Sequence, residues 1–435
     1  MEAKHRPTRL LQVLAVVCLS ISAALVMAQA RNLFSDVSPE VVTTDRRATA
    51  ALDKIKRRKT VAEVRVVRVD SALLGDTKEP VNLNVFGGKE FPVVLDRIER
   101  RGDKDYSWIG KVTGKTPGTA TFVVRDGNVT GTIRPGNEIY SVEPLGGGLH
   151  AVIQVDPRKF PPDHPPSFEK QGRGDAKVDV PKRQAKLIEA PWWKKWLCWL
   201  FPYWKLCATS IDVVVAYTPD AKAQVTDIDG LIQLAVDESN QSYTNSGIRA
   251  RLRLVYKYEV AYTESGSFDT DLTRFRTPAD GYMDDIHTVR DKYKADVAVL
   301  IINNDDYCGL ASTIFADADE AFGAVHYDCA SGYYSFAHEI GHLQAARHNC
   351  EVDSNTTPFA YGHGYLYTSG GWRTIMAYNS SDCPDGYCTR LQYWSNPNNS
   401  YGGVAMGTTC PTASDCCSHN VGTLNVTRWT IASFR

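Results

Sequence analysis

Tyr333-Tyr-Ser-Phe-Ala-His338-Glu339-Ile-Gly-His342-Leu-Gln-Ala345-Ala-Arg-His348 is the stretch whose reading decides the fold. Two histidines four residues apart share one face of a helix, with Cβ atoms about 5–6 Å apart. His338 and His342 therefore converge on one point. Zinc accepts imidazole nitrogens at about 2.0–2.1 Å, so ligands must come that close together. Glu339 lies beside the first ligand and is placed to act as general base on a water at the metal. In an unbroken helix His348 would lie about 9 Å beyond His342 along the axis. The chain must turn between them if all three are to hold one ion, and Cys350 is placed to pin that turn. Three protein ligands leave a fourth position open, as catalytic zinc sites do. The rival reading is an amphipathic helix with incidental histidines. With ten histidines in 435 residues, a chance HExxH occurs on the order of once in a hundred chains. The third histidine lowers that further.

Outward from this stretch the chain alternates strands and helices. Ile211–Tyr217, Ala250–Tyr262 and Asp296–Ile302 are expected strands, and Ile228–Asn245 and Ala279–Tyr293 expected helices. Such alternation implies a mainly parallel sheet under helical cover. Further upstream the pattern is different. Val61–Val69, Tyr106–Val112, Thr119–Arg125, Asn128–Arg134, Glu138–Val142 and Leu149–Val155 are short β-rich runs separated by turn residues. Asp126-Gly127 between two of them is a hairpin signal. A small antiparallel β domain is expected there. Phe160 to Lys186 is polar and rich in Pro, Gly and Lys, as an exposed linker would be. Lys182-Arg183 within it reads as a processing site or a solvated basic pair, and Arg173-Gly174-Asp175 as a chance tripeptide.

The first 30 residues have the layout of an export signal. Lys4, Arg6 and Arg9 precede an apolar stretch that ends at Ala28-Gln29-Ala30. Ten of the 11 cysteines lie between Cys198 and Cys417, which in an exported chain reads as up to five disulfides of undetermined pairing. Residues 191–209 form a tryptophan-rich linker. It is open to two readings: an interface anchor, or an aromatic tether closed by Cys198–Cys207. With 49 basic and 50 acidic side chains, nothing points to nucleic acid or to an anionic membrane surface. Six Asn-x-Ser/Thr sequons, among them Asn128 and Asn240, matter only in a eukaryotic secretory host.

The HExxH stretch and Thr374-Ile375-Met376-Ala377-Tyr378 together resemble the metzincin metalloproteases, whose signature is HExxHxxGxxH followed by a Met-turn. Ile211-Asp-Val-Val-Val-Ala-Tyr-Thr-Pro219, Tyr361-Gly-His-Gly-Tyr365 and Trp372-Arg373 are similar to the bacterial peptidyl-Asp metallopeptidase family and its reprolysin-like relatives. The resemblance covers about Ile211 to Arg435. It implies a zincin-like α/β (α+β) catalytic domain over 210–435, with a mostly parallel sheet and an active-site helix. Residues 31–190 would be a β-rich propeptide and the whole chain a secreted zymogen. Zn2+ would be the cofactor and proteins or peptides the substrates. Glu339 would be the base, Met376 a floor under the metal, and Tyr378 an oxyanion donor, a metal ligand or a packed core tyrosine. An acidic substrate preference, as the resemblance implies, needs a cation, and Arg373 and Arg347 are the candidates. Latency in such enzymes uses a thiol or an acid, which points to Cys198, Cys207, Asp163 or Asp175. Ala345 replaces the signature glycine, where a left-handed residue costs about 1–2 kcal/mol. The alternatives are a scaffold of this type kept only for extracellular binding or adhesion, and an amidase or deacetylase acting on a non-protein polymer.

Overall fold

The computed structural model describes residues 30–76, 79–164, 186–189, 196, 208–412 and 415–435. The export-type segment, most of the tryptophan-rich stretch with Cys198 and Cys207, and the positions Asp175, Lys182 and Arg183 lie outside them.

The N-terminal half carries ten strands: β1 (Arg31–Asn32), β2 (Phe34–Asp36), β3 (Val61–Val69), β4 (Val81–Asn84), β5 (Glu90–Gly102), β6 (Asp105–Val112), β7 (Gly118–Arg125), β8 (Asn128–Pro135), β9 (Ile139–Gly146) and β10 (Leu149–Val155). They form one sheet in the order β1-β4-β5-β6-β7-β8-β9-β10-β3-β2, antiparallel except where β1 meets β4. Asp126 (φ +48°) and Gly127 (φ +84°) make the tight turn between β7 and β8, the left-handed pair such a hairpin needs. The sequence reading missed a helix here, α1 (Arg46–Arg57), capped by Asp45. It buries Ala48, Leu52 and Ile55 against Leu145, Leu149, Ala151 and Ile153.

The C-terminal half contains β11 (Thr209–Tyr217), β12 (Ala250–Glu259), β13 (Val297–Ile302), β14 (Gly309–Ala311) and β15 (Phe322–His326), in the order β12-β11-β13-β15-β14. Pairing is parallel between β12 and β11, β11 and β13, and β13 and β15, and antiparallel at the β14 edge. Successive residues divide between two cores: Val213, Val215, Val297, Val299 and Ile301 face one, and Val214, Ala216, Ala298, Leu300 and Ile302 the other. A strand buried on both faces needs apolar residues at successive positions: β13 has them throughout and β11 from Val213 to Ala216, while Asp212 ahead of that run is paired with Arg253. Helices α2 (Ile228–Ser246) and α5 (Ser335–Leu343) cover the first core. Helices α3 (Phe268–Arg276) and α4 (Asp285–Tyr293) cover the second. Helix α4 starts six residues later than the spacing predicts. Ala279, Gly281 and Met283 have positive φ there, which breaks any helix before Asp285. Among the described residues no helix is long and apolar enough to cross a membrane.

The two halves meet across α2. Ser107 and Thr132 of the first sheet hydrogen-bond Asp237 and Glu238, and the Glu238 carboxylate also accepts from Gly332 N at 2.7 Å. Arg134 donates to the carbonyls of Gly332 and Arg390, at 2.6 Å each. Arg125 pairs with Asp227 at 2.6 Å and Asp229 at 2.9 Å.

Candidate active site

Helix α5 is buried along its whole length. Gly341 makes this possible, because a Cβ there would stand 2.6 Å from Trp394 and 3.0 Å from Met376 Sδ. Met376 is fully buried under the helix. The helix ends as the site requires. Ala345 takes φ +73°. Its N–H reaches the His342 carbonyl at 2.8 Å, and Ala346 N reaches Gly341 O at 2.9 Å. This is the Schellman arrangement, in which one left-handed residue turns the chain out of the helix. Arg347 then bridges to His363, and Cys350 is bonded to Cys416, so the turned segment is held on both sides.

That turn brings three imidazoles together. The Nε2 atoms of His338 and His342 are 3.1 Å apart, those of His342 and His348 3.0 Å, and those of His338 and His348 3.3 Å. His338 Nδ1 donates to the Ile375 carbonyl at 2.9 Å and His342 Nδ1 to the Ala346 carbonyl at 2.8 Å. A carbonyl only accepts, so each Nδ1 carries its hydrogen and each facing Nε2 presents a lone pair. Burial pushes all three imidazoles well below their ordinary range, and their neighbours' charges add to this. Converging lone pairs repel unless a cation sits between them. Edges of about 3.3–3.4 Å are what a tetrahedron of nitrogens 2.0–2.1 Å from a metal requires. The donor set fits a metal ion.

Glu339 lies beside this centre, buried. Its carboxylate rests against β14, where a Cβ on Gly309 would come 2.3 Å from Oε1. Burial, and then the negative charge of Asp163, pushes its carboxyl well above the ordinary range, the direction that suits a proton acceptor working near neutrality. Tyr378 lies over His348, with ring centres 4.1 Å apart. Its backbone N–H is fixed by Asn349 Oδ1 at 2.9 Å.

The structure brings residues of the expected linker into the site. Phe160, Asp163 and His164 were expected in an exposed linker. Instead Phe160 stacks on Tyr333 with ring centres 4.3 Å apart, and His164 is 3% exposed. His164 Nε2 is 3.1 Å from Glu339 Oε2, and its Nδ1 is 2.9 Å from the Tyr378 hydroxyl. His164, His338, His342 and His348 each bring a ring nitrogen to within 4.8 Å of the others. A Pro-rich polar run is equally the composition of an extended segment lying in a polar cleft, so composition could not separate the two. Asp163, a latency candidate, is held 2.8 Å from Arg390 Nη2 and 3.3 Å from Arg373 Nη1. Burial raises its carboxyl, but Arg390 and Arg373 more than offset this and leave it below the usual carboxylate range. Arg373 is fully buried and also donates to the Tyr333 hydroxyl at 3.0 Å. Arg347, the other candidate cation, is committed elsewhere, to Asp353 at 2.9 Å and the Thr357 carbonyl at 2.7 Å.

Two buried histidines and a carboxylate on a helix under an α/β sheet, with a third histidine returned to them by the turn, make the site of a metallopeptidase. Residues 208–395 match the family model described as metallo-peptidase family M12. The chain is 42% identical over 97% of its length to the peptidyl-Asp metalloendopeptidase of Stenotrophomonas maltophilia (strain R551-3), covering 97% of that protein. It is 38% identical to the one from Xanthomonas campestris pv. campestris, over 89% of each chain. The chain belongs to this family, and it is a metalloendopeptidase with a catalytic metal.

Proposed function

We propose that the chain is a secreted zinc metalloendopeptidase, made as a zymogen, that cleaves proteins or peptides at acidic residues. One observation carries the reading: the three Nε2 atoms of His338, His342 and His348 lie 3.0–3.3 Å apart beside the Glu339 carboxylate. An all-imidazole set suits zinc among the available metals. When bound, the ion supplies Lewis acidity toward the scissile carbonyl and toward water. The protein's own groups do the rest. Glu339 accepts the proton of the attacking water and passes it to the leaving amine. The Tyr378 hydroxyl donates to the oxygen on which negative charge develops, a contribution of about 3 kcal/mol for a pre-placed donor. Met376 keeps the floor apolar and rigid.

The acidic preference rests on Arg373 and Arg390. Both are buried, and both point at one carboxylate, that of Asp163. Two paired guanidinium groups reject an uncharged side chain, because their charge would then be left buried and unpaired. The relatives' name, peptidyl-Asp metalloendopeptidase, agrees with this. Export is supported by the signal-like first 30 residues and by four disulfides, Cys308–Cys329, Cys350–Cys416, Cys383–Cys388 and Cys410–Cys417.

A peptide-library digest with and without chelator, run also on Glu339→Ala and Arg373→Leu, tests the reading. The expected result is chelator-sensitive cleavage, lost in Glu339→Ala by roughly 10²–10⁴-fold. Arg373→Leu should relax the acidic preference. Cleavage undiminished in Glu339→Ala would remove the mechanism. An unchanged preference in Arg373→Leu would exclude that residue from the pocket.

A further inference from the structure

We infer that residues 161–164 lie in the cleft as a built-in pseudo-substrate, with His164 closing the open side of the metal site and Asp163 filling the Arg373/Arg390 pocket. This rests on the metal-site reading above and goes beyond it by assigning the fourth position. Three contacts anchor the segment. The Pro162 carbonyl accepts from Cys308 N at 2.8 Å, next to the β14 edge, which is the kind of main-chain bond an extended peptide substrate makes. Asp163 lies between the two buried arginines. His164 has its ring centre 4.9, 5.1 and 4.9 Å from those of His338, His342 and His348.

Packing alone does not account for this histidine. An imidazole surrounded by three others, a carboxylate and a tyrosine hydroxyl is a polar ring removed from water, and it stays there only if its nitrogens are used. Nδ1 faces the Tyr378 hydroxyl and Nε2 faces Glu339, and one ring nitrogen lies within 4.8 Å of those of the other three histidines. The same ring therefore occupies the place a water would need, the base that would deprotonate it, and the hydroxyl proposed to serve the oxyanion. A fourth imidazole would turn an open catalytic site into a closed one of structural type. Latency then needs neither a thiol nor a carboxylate on the metal: Asp163 acts as the second anchor, and removing the segment frees both pockets together.

The test uses the full chain, checked by mass to retain residues 161–164, and reads the metal itself. X-ray absorption of the zinc-loaded chain should show four imidazole nitrogens and no solvent oxygen. With cobalt(II) in place of zinc, azide should leave the visible bands of the wild type unchanged and shift those of His164→Gln. Asp163→Ala, which loosens the segment but keeps the imidazole, should also admit azide. A wild-type spectrum of three imidazoles plus an oxygen, or azide binding equally to wild type and variant, would overturn the proposal. The absorption measurement decides even if a variant fails to fold. A chain that takes up no metal at all would instead defeat the zinc reading, so the two failures are distinguishable.

Discussion

Ala345 shows how far single residues could be read in advance. The spacing of His342 and His348 demands a turn, and Ala345 stands at the turning point with φ +73°. A left-handed alanine costs about 1–2 kcal/mol. Glycine there would remove that strain but give back about 0.5–1 kcal/mol through the greater freedom of the unfolded chain. Ala345→Gly should therefore melt at the same temperature or a few degrees higher, with metal affinity unchanged. A clear fall in affinity by metal titration would mean the turn is misassigned. His338, Glu339, His342 and His348 were legible because all four lie within eleven residues and their chemistry fixes their spacing. His164 and Arg390 were not, since each reaches the centre from a distant segment and a lone histidine or arginine carries no spacing to read. Tyr333, which carries no signature of its own, is placed by its contacts with Phe160, Arg373 and Arg390.

Elements position these residues, and β14 is the least conspicuous of them. It has three residues, Gly309–Ala311, at the antiparallel edge of the sheet, too short to stand out in a sequence. Yet Gly309 leaves the space that Glu339 fills, since a Cβ there would lie 2.3 Å from Oε1. Gly309→Ala should displace the carboxylate and lower kcat on the order of 10²-fold, the cost of about 1 Å of misplacement. Metal content should not change. Wild-type turnover in this variant would show that the carboxylate is not seated on the edge strand. Among larger elements, the doubly buried strands β11 and β13 announced themselves by the apolar runs Val213–Ala216 and Val297–Ile302. Helix α1 did not, although Asp45 as cap and the spacing of Ala48, Leu52 and Ile55 were present. Its arginines and lysines outnumber the apolar residues it buries, and charge masked the pattern.

Across the whole molecule, the docking of one half on the other could not be read, because nothing in the sequence pairs Ser107 with Asp237 or Thr132 with Glu238. Those contacts bury two carboxylates. Burial pushes Glu238 up to about 7 and Asp237 up to about 6, and their hydrogen bonds only partly offset this. A carboxyl whose pKa is raised on folding favours the protonated folded state. Its contribution is fully present below the unfolded value and is lost as pH rises through the folded one. The full chain should thus lose thermal stability between about pH 4 and about pH 7, and Glu238→Gln should flatten that slope. Equal slopes by calorimetry would show that Glu238 does not carry the effect. This is also the direction in which the N-terminal half would loosen from the catalytic half. The account as a whole stands on one ion held by three imidazoles, and metal analysis of the purified chain tests that most directly. The expected result is one zinc per chain and, once the N-terminal segment is removed, peptide hydrolysis that is lost with the metal on chelation and restored with it. Protein that holds no transition metal, or that still cleaves peptides once stripped, would contradict the account.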